Sequence, residues 1–206
     1  MVAALCGPPW SCFEMLLLYQ ALNIVLDACR QQNRLRAKLF QLKEQSVFMV
    51  ILRAARDDDT PQLTEVRTST LRERASGSYS ESELAAIAPK NPDPDRGSGT
   101  IQNESFDVIV AQDDGILGFG VVHPSDCQIH GLYVKPEATG EGVGTALLEE
   151  LEQRCRETGS ESLFALATLN AAPFYLKRGY EKISERTISE EPEIPVIHVE
   201  KSFAEE

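Results

Sequence analysis

What this sequence has least of is positive charge. Its 20 Lys and Arg stand against 32 Asp and Glu, a net charge of −12. Nothing forms the basic stripe that a nucleic-acid surface needs. The shortage is uneven: residues 1–48 hold five Lys/Arg against three Asp/Glu, while the remainder holds fifteen against twenty-nine and only five lysines. An acidic, lysine-poor surface keeps a protein soluble where salt screens weaker charge. A salt-rich, halophile-like cytoplasm is therefore the expected setting, with an ordinary acidic protein as the alternative. Long apolar runs are missing too. Residues 13–26 are broken by Glu14, Gln20 and Asn23, are too short to span a bilayer, and lack the basic leader and cleavage site of a secretory signal. The five cysteines (Cys6, Cys12, Cys29, Cys127 and Cys155) are odd in number and show no metal-ligand spacing. Reduced thiols in a cytoplasmic protein, and no metal, are the expectation.

What is present suits one domain with an appendage, since 206 residues can bury a sizeable core. Residues 1–48 read as an N-terminal helical extension, with a basic second half around Arg30, Arg34, Arg36 and Lys38. Charge balance and cysteine use both change at Met49. We expect Met49 to be the native start and 49–206 to be the functional domain; an interaction helix is the alternative for 1–48.

From there a strand at 50–54 leads to Asp57-Asp58-Asp59-Thr60-Pro61, a helix start with acid and proline in its first turn. That helix runs to about Arg74 with Leu63, Val66 and Leu71 inward, and a second helix covers 81–87. Residues 89–100, rich in proline and glycine, read as an irregular connection. Strands at 106–112 and 116–122 flank Asp113-Asp114-Gly115, a hairpin signal, and a third covers 127–134. Val143, Leu147, Leu151 and Cys155 then recur every four residues, the buried stripe of a helix in which the thiol serves as a small apolar group. A strand at 162–168, a short helix at 171–178 and a closing pair at 180–188 and 196–203 complete the chain, with Pro192 and Pro195 in the last loop. Sequential antiparallel strands followed by a helix predict an α+β fold around a central mixed sheet.

The organising stretch lies at 129–148. Leu132, Tyr133 and Val134 end a strand, Pro136 stops it, and Gly140, Gly142 and Gly144 bend the chain into a helix. A glycine turn that opens a helix directs unpaired N–H groups and the positive helix end at one spot, which suits a phosphate or pyrophosphate. Two nucleotide motifs fail here. A P-loop needs Lys before its Ser/Thr, and Gly144 precedes Thr145. A dinucleotide turn needs a later third glycine and an acidic residue closing the next strand.

Thr139, Gly140, Glu141, Gly142, Val143 and Gly144 resemble the acetyl-CoA loop of the GNAT superfamily of N-acetyltransferases, in which Arg or Gln precedes the spaced glycines. The later Asn170-Ala-Ala-Pro-Phe-Tyr175-Leu-Lys-Arg-Gly179-Tyr180 resembles that family's "N-x-x-x-x-F/Y-Y-x-x-x-G-F/Y" segment. Thr139 departs from the pattern, which predicts a weaker grip on the cofactor. The resemblance implies a three-layer, mostly antiparallel mixed sheet flanked by helices, and an acyltransferase moving acetyl from acetyl-CoA directly to a primary amine of a small molecule or peptide. A CoA-binding sensor or structural module with the same fold is the alternative. Expected partners are acetyl-CoA and an amine acceptor, with a homodimer left open and neither nucleic acid nor membrane.

The resemblance also assigns roles. The edge of Leu132, Tyr133 and Val134 would pair with the pantetheine amides as an added strand, and the amides from Thr139 to Thr145 would hold the diphosphate. Asn170 would hydrogen-bond the pantetheine arm or cap the helix that follows. Tyr175 would donate a proton to the leaving thiolate, or be a core aromatic beside Phe174. His130 is the candidate base, with a structural histidine as the other possibility; strand alternation places it with Leu132 and Val134. His123, Asp126 and His198 are weaker candidates. An acidic channel would favour cationic acceptors such as polyamines, amino sugars or protein N-termini.

Overall fold

The computed structural model describes residues 50–95 and 97–203. The expected helical extension, its cysteines and the suspected start at Met49 lie outside the described residues. Seven strands form one sheet: β1 (Ile51–Ala54), β2 (Asp107–Gln112), β3 (Ile116–His123), β4 (Gln128–Val134), β5 (Ser162–Thr168), β6 (Glu181–Glu190) and β7 (Glu193–Ser202). Their order is β1-β2-β3-β4-β5-β7-β6. Every pairing is antiparallel except β4–β5. The helices are α1 (Thr60–Arg74), α2 (Glu81–Ile87), α3 (Ser98–Ile101), α4 (Val143–Glu157) and α5 (Ala172–Leu176). This is the central mixed sheet that the strand pattern predicts, and the mostly antiparallel arrangement with flanking helices that the resemblance implies.

Alternation along β2 sorts the two faces. Ile109 and Ala111 meet α4, whose Val143, Leu147, Leu151 and Cys155 are wholly buried. Each such side chain contributes about 1.5–3 kcal/mol of apolar burial. Val108 and Val110 turn the other way and pack with Phe119, Val121 and the α1 residues Leu63 and Val66. Gly120 lets α4 lie close on the sheet, since a Cβ there would stand 2.7 Å from Leu151 Cδ1. Cys127 and Cys155 are free thiols. Burial, with Cys127 nearby, pushes the Cys155 thiol up to about 12, so it stays protonated and inert.

Two segments differ from expectation. Residues 98–101, inside the predicted irregular connection, form the short helix α3. Pro195 lies within β7 opposite Thr187 of β6, not in a loop. The pairing of β5 with β7 ends at Thr168↔Val196. Pro195 is thus beyond the end of β5, on a flank where no ladder bond needs its missing N–H.

The seam between β4 and β5 positions the site. The two strands pair only at Gln128↔Phe164 and Ile129↔Ala165, then separate. β4 is bulged at the same place: Val121 pairs with Gly131 and Val122 with Ile129, leaving His130 as the extra residue. A bulge bends its strand and re-aims a side chain. Strict alternation predicts His130 beside Leu132 and Val134, and the extra residue overturns that. Ile129 instead joins Leu132 and Val134 against the α4 core. The His130 ring lies 4.9 Å from Phe106, on the α1 side with Tyr133.

Candidate active site

Once β5 has diverged, the outer edge of β4 faces a cleft. The Lys135 N–H donates to the Leu117 carbonyl of the β3 side at 2.8 Å. By antiparallel alternation, residues 133 and 135 therefore spend their backbone groups on β3, while those of Leu132 and Val134 face the cleft. The Val134 carbonyl there accepts from the Thr70 hydroxyl at 2.9 Å.

The glycine turn closes one end. Gly140 and Gly142 have φ of +95° and +86°, a region that L side chains enter at a cost of roughly 1–2 kcal/mol. Gly142 is the N-cap of α4, and its carbonyl accepts from the N–H groups of Thr145 and Ala146, each at 3.0 Å. The preceding N–H groups, from Gly140 to Gly144, take no backbone carbonyl among the described residues. They stand at the positive end of a 15-residue helix. Thr139 directs its hydroxyl to the Lys135 carbonyl at 3.3 Å. The Glu141 side chain is exposed and that of Val143 is in the core, so these two face the turn through backbone only.

Around this turn lies a cavity of about 460 Å³, reached by Leu132, Val134, Thr139, Thr145 and Tyr175. Two residues missed by the sequence reading also line it, Arg74 and Arg178. Arg178 is held rigidly: its Nη2 donates to the Thr145 hydroxyl at 2.6 Å and its Nη1 to the Phe174 carbonyl at 3.0 Å. Its guanidinium carbon sits 3.8 Å from the Phe174 ring centroid. Arg74 Nη2 donates to the Pro136 carbonyl at 2.9 Å. Arg178 falls inside the late segment singled out above, and Arg74 in the last turn of α1; each was legible as a cation but not as a neighbour of the glycines.

A narrow space of about 90 Å³ continues the cavity along the seam, bounded by Thr70, Leu132, Asn170 and Tyr175, all shared with the larger cavity. Asn170 Oδ1 is buried here without a hydrogen-bond partner among the described residues. Its side chain does not cap α5, whose N-cap is Ala171 and has no side-chain bond. Tyr175 is buried with its ring edge-on to Phe174 and Tyr180, each at 5.3 Å. It is thus both a core aromatic and a wall of the passage. Burial foremost, with Tyr133 nearby, raises its phenol above the usual range and keeps it protonated.

Past this neck lies a third space of about 350 Å³, sharing His130, Gly131 and Tyr133 with the neck. His130 stands at its rim, exposed on one side. Burial of the rest, and then His123, lower its pKa, so the ring is neutral near pH 7. His123 stands off with its Nδ1 3.3 Å from Asp126 Oδ2. His198 lies against Phe164 at 5.3 Å and lines none of the three spaces. One face of α1 runs past all three: Thr60, Leu63, Thr64 and Arg67 at the third, Thr70 at the neck, and Arg74 at the first.

Among the described residues, no group of three or more His, Cys, Asp or Glu is placed to hold a metal. No helix among them is long and apolar enough to cross a membrane.

Comparison with known proteins bears on the same cleft. An uncharacterized protein, YxbD of Bacillus subtilis (strain 168), is 33% identical over 106 residues, spanning 41% of this chain and 66% of that relative's length. A solved GCN5-related N-acetyltransferase from Rhodopseudomonas palustris superposes with a TM-score of 0.69 at 25% identity, over 74% of this chain and 95% of its own. The PaiA N-acetyltransferase of Thermoplasma acidophilum, solved in complex with coenzyme A, shares the fold with a TM-score of 0.63 at 20% identity, over 76% of this chain and all of its own. A family model described as an acetyltransferase (GNAT) domain matches residues 75–202, which hold the glycine turn, the seam and the Asn170–Tyr180 segment. With more than half of its length matched, and the sheet, seam and turn arranged as above, this chain belongs to the GNAT family of acetyltransferases.

Proposed function

We propose that the protein is an N-acetyltransferase that moves the acetyl group of acetyl-CoA directly to a primary amine. The observation that carries this is the continuous passage from the glycine turn, through the seam, to a separate third space. It has a buried acceptor without a partner among the described residues, Asn170 Oδ1, at its narrowest point. A buried polar group left unpaired costs about 1–3 kcal/mol, and an amide N–H of a pantetheine arm would relieve it. The N–H groups from Gly140 to Gly144 would hold the diphosphate, with Arg74 and Arg178 supplying the charge that Thr139 does not. The Leu132 backbone and the Val134 N–H would bond the arm as an added strand.

Acetyl-CoA, when bound, supplies the activated carbonyl. A neutral amine in the third space forms the new C–N bond at that carbonyl, and the C–S bond breaks. His130, neutral at pH 7, takes the proton that the amine loses, directly or through one water. Tyr175, held protonated by its burial, donates to the sulfur as its negative charge develops. The acidic surface and unpaired thiols fit a cytoplasmic enzyme in a salt-rich cell, and the amine is that of a small molecule or peptide.

The test is thioester turnover, followed by thiol release, over a panel of primary amines. Steady release that depends on both acetyl-CoA and an amine is the expected result. Tight CoA binding with no release for any amine would instead support the sensor, which the short Thr139 side chain favours. Loss of activity and stability on adding salt would remove the halophile-like setting alone.

A further inference from the structure

The third space is not built for a polycation. Leu63, Ile101, Phe106, Val108, Phe119 and Val121 give it apolar walls, and no Asp or Glu lines it among the described residues. Among the described residues, its one charged lining side chain is Arg67. Arg67 is half-buried, and its closest polar contact is a long one, Nε to the Tyr133 hydroxyl at 3.4 Å. Its guanidinium carbon lies 5.9 Å from the Tyr133 ring centroid. It makes no ion pair with any described residue. Several other arginines are spent on carboxylates, as Arg53 is on Asp59, Arg72 on Glu81 and Arg154 on Glu150. A guanidinium left without an anion in an apolar recess of a chain with net charge −12 is a receptor for an anion, because a planar fork pairs bidentately with a carboxylate.

Resting on the acetyl-transfer reading, we infer that the acceptor is an α-amino acid with an apolar or aromatic side chain, its carboxylate held by Arg67. Arg67 precedes Thr70, which lines the neck, by three residues of α1, a rise of about 4.5 Å. With a carboxylate at Arg67, the amine on the adjacent carbon would face the neck beside His130 and Gly131, which line both spaces, and the apolar side chain would lie against Phe106 and Phe119. A volume of about 350 Å³ is at the small end of small-molecule sites and suits one such body. Polyamines and amino sugars, the cationic acceptors that an acidic channel would favour, would meet Arg67 with no counter-charge. The overall acidity does not extend into this recess.

Matched pairs test the inference: L-phenylalanine against phenethylamine, L-leucine against isoamylamine, and spermidine as the polycation. The measurements are kcat/KM on wild type, Arg67→Gln and Arg67→Lys, with calorimetric binding of the same compounds to the CoA-saturated protein. A site that bonds a substrate group rejects the analogue lacking it. Wild type should therefore prefer each amino acid over its decarboxylated partner by about tenfold or more. Arg67→Gln should bring that ratio close to one, through KM, and Arg67→Lys should restore part of it. The thermal shift produced by CoA should be the same in all three proteins, which checks folding. Amino-acid binding that depends on Arg67 without any turnover would uphold the inference and overturn acetyl transfer alone. Preference for spermidine or the decarboxylated amines, binding of neither class, or a preference unchanged in Arg67→Gln would overturn the inference.

Discussion

The two ends of the cleft are built from different material. At the glycine turn the groups offered for recognition are backbone amides, set by two positive-φ glycines and the first turn of α4 within six consecutive residues. At the third space they are side chains brought from α1, β2, β3, β4 and the residues before β2, with no local pattern in common. Backbone recognition suits a ligand that never changes and tolerates variation around it. Side-chain recognition can be rewritten one residue at a time. The residues matched to the family begin at Ala75, after α1, so the helix that carries Arg67 lies outside them.

That contrast can be broken at its junction first. Tyr175→Phe should lower kcat by about a thousandfold, within the range of general acid catalysis, and leave the calorimetric Kd for acetyl-CoA unchanged. A lost Kd would place Tyr175 with the binding groups of the first end instead. His130→Ala tests the second end and should lower kcat/KM by about a hundredfold near pH 7. Protonation disables a base, so the sign follows: burial and His123 hold the His130 pKa below its usual 6.5. The acid limb that His130 contributes to the wild-type profile should then fall below that pH and vanish in the variant.

The first end should yield to bulk. At Gly144 a Cβ would meet Phe174 Cε2 at 3.2 Å and Val134 Cγ2 at 3.5 Å. Gly144→Val should weaken acetyl-CoA binding by about 10- to 100-fold, the equivalent of an overpacking cost of about 1–3 kcal/mol. Smallest is Asn170→Ala. It should weaken CoA binding by about tenfold yet raise apo stability by about 1 kcal/mol, because it removes an unpaired buried acceptor. Thermal melts with and without CoA would show the two effects with opposite signs; equal losses in both would mean Asn170 is structural.

What the sequence could disclose follows the same division. The glycine turn, the α4 stripe and the hairpin depend on spacings of two to four residues, and these are visible in one dimension. The face of His130 was not, because a bulge is a count of two residues against three and exists only once β3 is the partner. Pro195 was misplaced because β7 outruns β5, a length difference no local signal encodes. Arg178 reaches Thr145 across 33 residues and Arg67 reaches Tyr133 across 66. Thr60, Leu63, Arg67, Thr70 and Arg74 do recur at helical spacing. Their stripe mixes polar with apolar, so periodicity alone gave no reason to single it out.

Hydrogen exchange with and without acetyl-CoA tests the central claim most directly. If the amides of the turn and the β4 edge hold the cofactor, exchange should slow at residues 140–144 and at Leu132 and Val134, with little change in β6. Unchanged exchange at those amides at saturating acetyl-CoA would contradict it.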